Sequence, residues 1–136
     1  MENLLSPWFK PGIDQGKVMI GIDPKTVLQM IAVRDIGKVG LQAFERHAEL
    51  NGRAIDLAGD QRAMPETAQI LSKATGKRIT FEQVPIAEVR KSSEDYALML
   101  EWFDRVGYDV NISALEKQYG IKLLKLAEWA GMQRWS

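Results

Sequence analysis

One stretch constrains the fold more than any other, residues Arg53–Arg90, RAIDLAGDQRAMPETAQILSKATGKRITFEQVPIAEVR. It has the pattern of strand, helix, strand and a proline-marked entry into another helix, which commits the chain to α/β architecture. In Arg53–Ala58, Ile55 and Leu57 alternate with Ala54, Asp56 and Ala58, the period of a strand that ends at Gly59-Asp60. Pro65 suits the first turn of the next helix, where a missing N–H costs nothing. Ala68, Leu71 and Ala74 recur at helical spacing beside Ile70, and Gly76 stands where a left-handed C-cap is common. Lys73, Lys77 and Arg78 set positive charge near that carbonyl end. Arg78–Val84, rich in β-branched and aromatic residues, is expected as a second strand closed by Pro85.

The flanking segments extend this pattern. Asn3, Leu4, Leu5 and Trp8 suggest one helical turn near the start, and Lys10-Pro11-Gly12 a tight turn. Lys17–Ile22 is expected as a strand with Val18, Ile20 and Ile22 on one face, followed by a turn at Asp23-Pro24 and a strand over Gln29–Val33. Asp35 is placed to cap a helix reaching about Leu50, with Ile36, Val39, Gly40, Ala43 and Phe44 as its apolar stripe. Downstream, Ile86 and Val89 predict a helical turn, and Ser92-Ser93-Glu94-Asp95 a helix start. In that helix Tyr96, Met99, Leu100 and Phe103 share one face and Leu98, Trp102 and Val106 another, which predicts packing on both sides. Gly107 ends it. Ser113 and Glu116 have capping-box spacing for a short helix that stops at Gly120, and Ile121–Trp135 is expected to hold an amphipathic helix around Leu124, Leu126 and Trp129.

Composition narrows the function. A chain of 136 residues with 46% hydrophobic content supplies the core of one domain, residues 1–136. Its 18 basic residues balance its 18 acidic ones, unlike an extended nucleic-acid surface, so no direct nucleic-acid binding is expected. There is no cysteine, hence no disulfide and no thiolate chemistry, and the single His47 excludes a multi-histidine metal site. No apolar run approaches the ~20 residues of a membrane helix and no signal-peptide pattern opens the chain, so no membrane association and a cytoplasmic location are expected.

Few residues suggest chemistry. His47, near the end of the Asp35 helix, could serve as a base, but a helix-end residue favoured by the dipole is the plainer reading. Arg34 and Asp35 follow a strand and open a helix, the position from which side chains line ligand clefts; the alternative is a cap with a salt bridge. Glu94 and Asp95 are successive helical residues, so their carboxylates diverge and read as first-turn acids. The Trp102–Phe103 and Tyr96–Met99 groups have the spacing of core packing. Gly37-Lys38-Val39-Gly40 lies within a helix pattern and is no phosphate loop. No catalytic or metal-binding residue is identified.

Several blocks in order, VRDIGKV at Val33–Val39, GRAIDLAGD at Gly52–Asp60, MPETAQILS at Met64–Ser72 and Val84-Pro85, resemble the NmrA-like family of NAD(P)-binding proteins, within the atypical short-chain dehydrogenase/reductase group. The opening MENLLSPW resembles the family segment after the sixth strand of the dinucleotide-binding sheet, and Glu94–Val110 its C-terminal cap helices. The resemblance runs from Met1 to about Trp129 and implies the C-terminal part of a Rossmann-like fold, without the half that carries the Gly-rich pyrophosphate loop. Arg53–Ala58 would then be the last strand of that sheet, left with an open edge, and the chain a fragment prone to self-association. Members of the family include redox-sensing regulators that bind NAD(P) without chemistry and NAD(P)H-dependent oxidoreductases acting on quinones or similar acceptors. The implied role is a substrate or effector lobe, non-catalytic as it stands, with Asn3, Arg34 and Asp35 as candidates to face the ligand cleft and no NAD(P) site in the chain itself. A small-molecule ligand or a regulatory protein is the implied partner. Two alternatives stand beside it: part of an NAD(P)H-dependent oxidoreductase whose cofactor half lies elsewhere, and an orphan interaction domain.

Overall fold

The computed structural model describes residues 1–135. A 3-10 turn at Glu2–Leu5 leads into α1 (Lys10–Asp14), β1 (Lys17–Ile20) and β2 (Val27–Met30). Then come α2 (Val33–Glu45), α3 (His47–Leu50), β3 (Asp60–Ala63), α4 (Met64–Thr75) and β4 (Thr80–Gln83). The helices α5 (Ile86–Ser92), α6 (Glu94–Arg105), α7 (Ile112–Tyr119) and α8 (Leu126–Gly131) complete the described residues. This is the expected α/β arrangement of a few short strands and several helices.

The strands form two pairs. β1 and β4 run parallel, Lys17 opposite Thr80 and Ile20 opposite Gln83. β2 and β3 run antiparallel, Val27 opposite Ala63 and Met30 opposite Asp60. A parallel pair needs a crossover, and α4 supplies its last limb, packing on both β1 and β4. Val18, Ile20 and Ile22 alternate into the core as the sequence predicts, against Met64, Ala68 and Leu71 of α4, Ala97 and Leu100 of α6, and Leu126 and Trp129 of α8. A second, smaller cluster joins Leu50, Leu115, Tyr119 and Leu123.

Several sequence expectations change. Arg53–Ala58 is not a strand, because it has no ladder partner among the described residues; Ile55 and Leu57 instead pack on the smaller cluster. The strand next to β2 is formed just beyond this segment, by Asp60–Ala63. The strand expected over Gln29–Val33 sits at Val27–Met30, since Ala32 turns the chain into α2. Lys10-Pro11-Gly12 opens α1, with Pro11 in its first turn, rather than forming an isolated turn.

Helix α2 departs most from its apolar pattern. Its N-cap is Ala32, Asp35 is fully buried, and the helix breaks at Arg46, so that His47 begins a separate short helix. Of the expected stripe Val39 is buried, but Ile36 is 44% and Phe44 84% exposed. Polar bonds set this rotation. Asp35 Oδ2 accepts from the Leu124 N–H at 2.6 Å, and one turn pair later Gln42 Nε2 donates to the Tyr119 carbonyl at 2.8 Å. A buried N–H without a partner costs more than an exposed phenylalanine, and the helix faces accordingly.

In α6, Ser93 is the N-cap, its Oγ accepting from the Tyr96 N–H at 3.2 Å, but only one face packs: Ala97 and Leu100 are buried while Leu98 and Val106 are exposed. In α7 the cap is Asn111, whose Oδ1 accepts from the Ala114 N–H at 3.0 Å, and not Ser113. Glu116 is used elsewhere. The N–H groups of Leu123, Leu124, Lys125 and Leu126 donate in turn to Glu116 Oε1 (2.9 Å), Asp35 Oδ2 (2.6 Å), Glu128 Oε2 (3.1 Å) and Asp60 Oδ2 (2.8 Å). The amphipathic helix expected within Ile121–Trp135 is α8, and this carboxylate clamp keeps Leu124, one of its expected residues, in the extended approach before it.

Candidate functional site

The parallel pair ends in a cleft. Past Ile20, β1 continues through Gly21, while β4 leaves through Val84 into Pro85, the N-cap of α5. In open α/β sheets ligands bind outside the carboxyl ends of the strands, because the connections splay apart there. Here the space is a groove of ≈ 1070 Å³. Its floor is Met19, Ile20, Gly21 and Val84; one wall is the α5–α6 corner, with Glu88, Val89, Ser92, Ser93 and Tyr96; the other is the N-terminal segment, with Asn3, Ser6, Trp8 and Phe9.

Local sequence explains each wall. Met19 is the outward residue of β1, between buried Val18 and Ile20. Gly21 is closely packed: a Cβ there would lie 3.0 Å from Val89 Cγ2 and 3.2 Å from the Val84 carbonyl, so these neighbours would have to give way. The glycine lets β1 pass beneath α5 and leaves the floor open. Ser93, extended between α5 and α6, turns the chain so that Tyr96 comes round to the groove. Burial pushes the Tyr96 hydroxyl above its ordinary value, so it stays a neutral donor. Trp8 stands at the mouth, 89% exposed.

The groove is largely apolar, with a few polar groups, the usual character of a small-molecule site. Glu88 is its one charged lining residue, ion-paired at 2.7 Å with Lys91. A second, polar depression of ≈ 390 Å³ lies beside Gln61, Asn111, Glu116 and Lys125, where Lys125 Nζ already donates to the Gly59 carbonyl at 2.8 Å.

Of the residues singled out in the sequence, Asn3 lines the groove. Arg34 is exposed on the first turn of α2 and does not line it. Asp35 is buried and engaged with Leu124 and, at 2.7 Å, with Lys38 Nζ, so it acts as a fixed link between α2 and the α8 approach. His47 is exposed at the start of α3. Sequence reasoning passes over Trp8 and Met19 as site residues and reads Tyr96 as core packing, whereas Tyr96 is 39% exposed at the groove. Their approach depends on long-range packing, and only the Ser92-Ser93 cap signal marked that corner.

A dinucleotide finds no pyrophosphate cradle among the described residues. Such a cradle needs a glycine-rich strand-to-helix turn with free N–H groups. Here β3 passes directly into α4, and β4 reaches α5 through Val84-Pro85, where the N-cap has no N–H. The glycines of positive φ, at 16, 52, 76, 107 and 120, lie elsewhere.

The model of the NmrA-like family matches residues 1–136, the whole chain. The chain belongs to the NmrA-like family. This NmrA-like chain is also similar to prestalk A differentiation protein A of Dictyostelium discoideum, at 28% identity over 95 residues, covering 69% of this chain and 31% of that protein. Among solved structures it resembles a nucleoside-diphosphate-sugar epimerase from Staphylococcus aureus, with a TM-score of 0.69 and 20% identity, over 95% of this chain and 48% of that one. That likeness shows the fold. The NmrA-like chain thus spans about a third of the curated relative and about half of the solved structure.

Proposed function

We propose that this chain is the ligand- or effector-binding lobe of an NmrA-like protein, holding a small molecule in the groove at the ends of β1 and β4 without transforming it. The observation that carries this reading is the groove's position beyond two parallel strand ends, combined with its apolar lining and few polar groups. Asn3 belongs to this proposed cleft; Arg34 and Asp35 do not. Glu88 is the only carboxylate in the lining and Tyr96 a neutral phenol, so no pair of groups is arranged for acid–base catalysis. The structural neighbour is a nucleoside-diphosphate-sugar epimerase, but no lysine or arginine lines this groove to meet a diphosphate.

NAD(P) belongs, on this reading, to family members with a Gly-rich loop. This chain alone is expected not to bind NADPH with a dissociation constant below roughly 10 μM, about −7 kcal/mol. Amide NMR titration tests both statements. Apolar aromatic compounds should shift the Gly21 and Ser93 resonances, and NADPH should not. Saturable NADPH binding in the low-micromolar range would favour the second reading, in which the groove is the acceptor site of an NAD(P)H-dependent oxidoreductase acting on quinones or similar acceptors. The open strand ends are what favour that reading over a purely structural lobe.

A further inference from the structure

Ser6 lines the groove, and its hydroxyl is buried without a hydrogen-bond partner. The backbone around it is fully engaged: its N–H donates to the Asn3 carbonyl at 3.0 Å, and its carbonyl accepts from Phe9 at 3.2 Å and Lys10 at 2.9 Å. The residue is therefore held in place while its side chain is left uncommitted. A buried hydroxyl with no partner is costly, and natural structures retain few of them. Rotation about the single Cα–Cβ bond is all that is needed to turn this one into the groove, since the residue already forms part of its wall. The other polar side chains are differently placed: Ser93 Oγ caps α6, Glu88 is paired with Lys91, and Asn3, Ser92 and Tyr96 are exposed residues rather than holders of a buried, unpartnered group.

Charge sets a second condition. No lysine or arginine lines the groove, and its one ionic residue is a carboxylate. An anion would have to leave water among apolar side chains with no cation to meet it.

Resting on the groove as a ligand site, we infer that it takes an uncharged apolar molecule bearing one oxygen, that Ser6 recognises this oxygen, and that anionic analogues are rejected. Three probes with one ring system separate the parts of this inference: naphthalene, 2-naphthol and 2-naphthalenesulfonate, each titrated against the full chain with the Gly21 and Ser93 amides as readout. The expected order is 2-naphthol about 5-fold tighter than naphthalene, the gain of one net hydrogen bond, and the sulfonate weakest. Ser6→Ala should abolish the preference for 2-naphthol while leaving naphthalene binding unchanged. The same variant should melt no lower than the original chain, because the hydroxyl it removes satisfies nothing; a hydroxyl with a structural bond would show a lower midpoint. Binding of 2-naphthol and naphthalene with equal affinity, or a preference that survives Ser6→Ala, would overturn the assignment of Ser6 and leave the groove as a ligand site. Tightest binding by the sulfonate would overturn the charge rule. Failure of all three probes to move these amides would overturn the inference together with the ligand-lobe reading.

Discussion

Ala63 is the N-cap of α4, and Glu66 Oε2 accepts from its N–H at 3.1 Å, so half of a capping box is built. Alanine has no oxygen to offer the Glu66 N–H in return. Ala63→Thr is expected to raise stability by about 1 kcal/mol, read as a higher denaturant midpoint at equal slope. Asp35 is the opposite case. Its sequence position suggests a cap or a cleft residue, yet its role is fixed by Leu124, 89 positions away, which no local pattern reveals. Asp35→Ala should lower stability by about 2 kcal/mol, since it strands the Leu124 N–H, while the part-exposed Lys38 turns to water; a midpoint shift equivalent to under 1 kcal/mol would contradict the clamp. Ser93, Gly76 and Gly107 were legible because capping is a local matter.

At the scale of elements, α4 and β1 follow their sequence periods because their apolar residues face one core. Helix α2 does not, because buried hydrogen bonds outrank its apolar stripe, and Arg53–Ala58 does not, because a strand exists only with a partner. The groove was only partly legible for the same reason: Asn3 and Tyr96 come to its two walls through packing and not through spacing. Elements are also tied by charge. Glu2 joins three of them, accepting from the Val33 N–H of α2 at 3.0 Å and the Trp129 indole N–H of α8 at 2.9 Å. Burial alone would raise the Glu2 carboxyl, but these donors outweigh it and hold the group below its ordinary value. Glu128 is lowered too, by the Lys125 N–H and then by Lys122. A depressed carboxyl stabilises fully above its unfolded value and loses that contribution as the pH falls through its lower folded value. Thermal midpoints should therefore fall progressively below about pH 4.5, and Glu2→Gln should flatten that profile.

Seen as a whole molecule, the chain leaves a side without cover. Val33, Ile36, Leu41 and Phe44 rise along one flank of α2, all exposed, with Gly37 and Gly40 between them meeting nothing within 4 Å. An exposed apolar stripe of this kind favours association, and the chain is expected to self-associate at high concentration. Phe44→Glu should shift light scattering towards the monomer; a monodisperse monomer of the unmodified chain at every concentration would contradict this. The carboxylate clamp has a consequence of another kind, in the order of events. Two of its acceptors, Asp35 and Asp60, precede their donors by 89 and 66 positions, so these contacts wait on the closure of long loops. Residues 123–126 should behave as one late-forming unit whose four amide protons exchange with solvent together, in a single opening, while those of α4 remain protected.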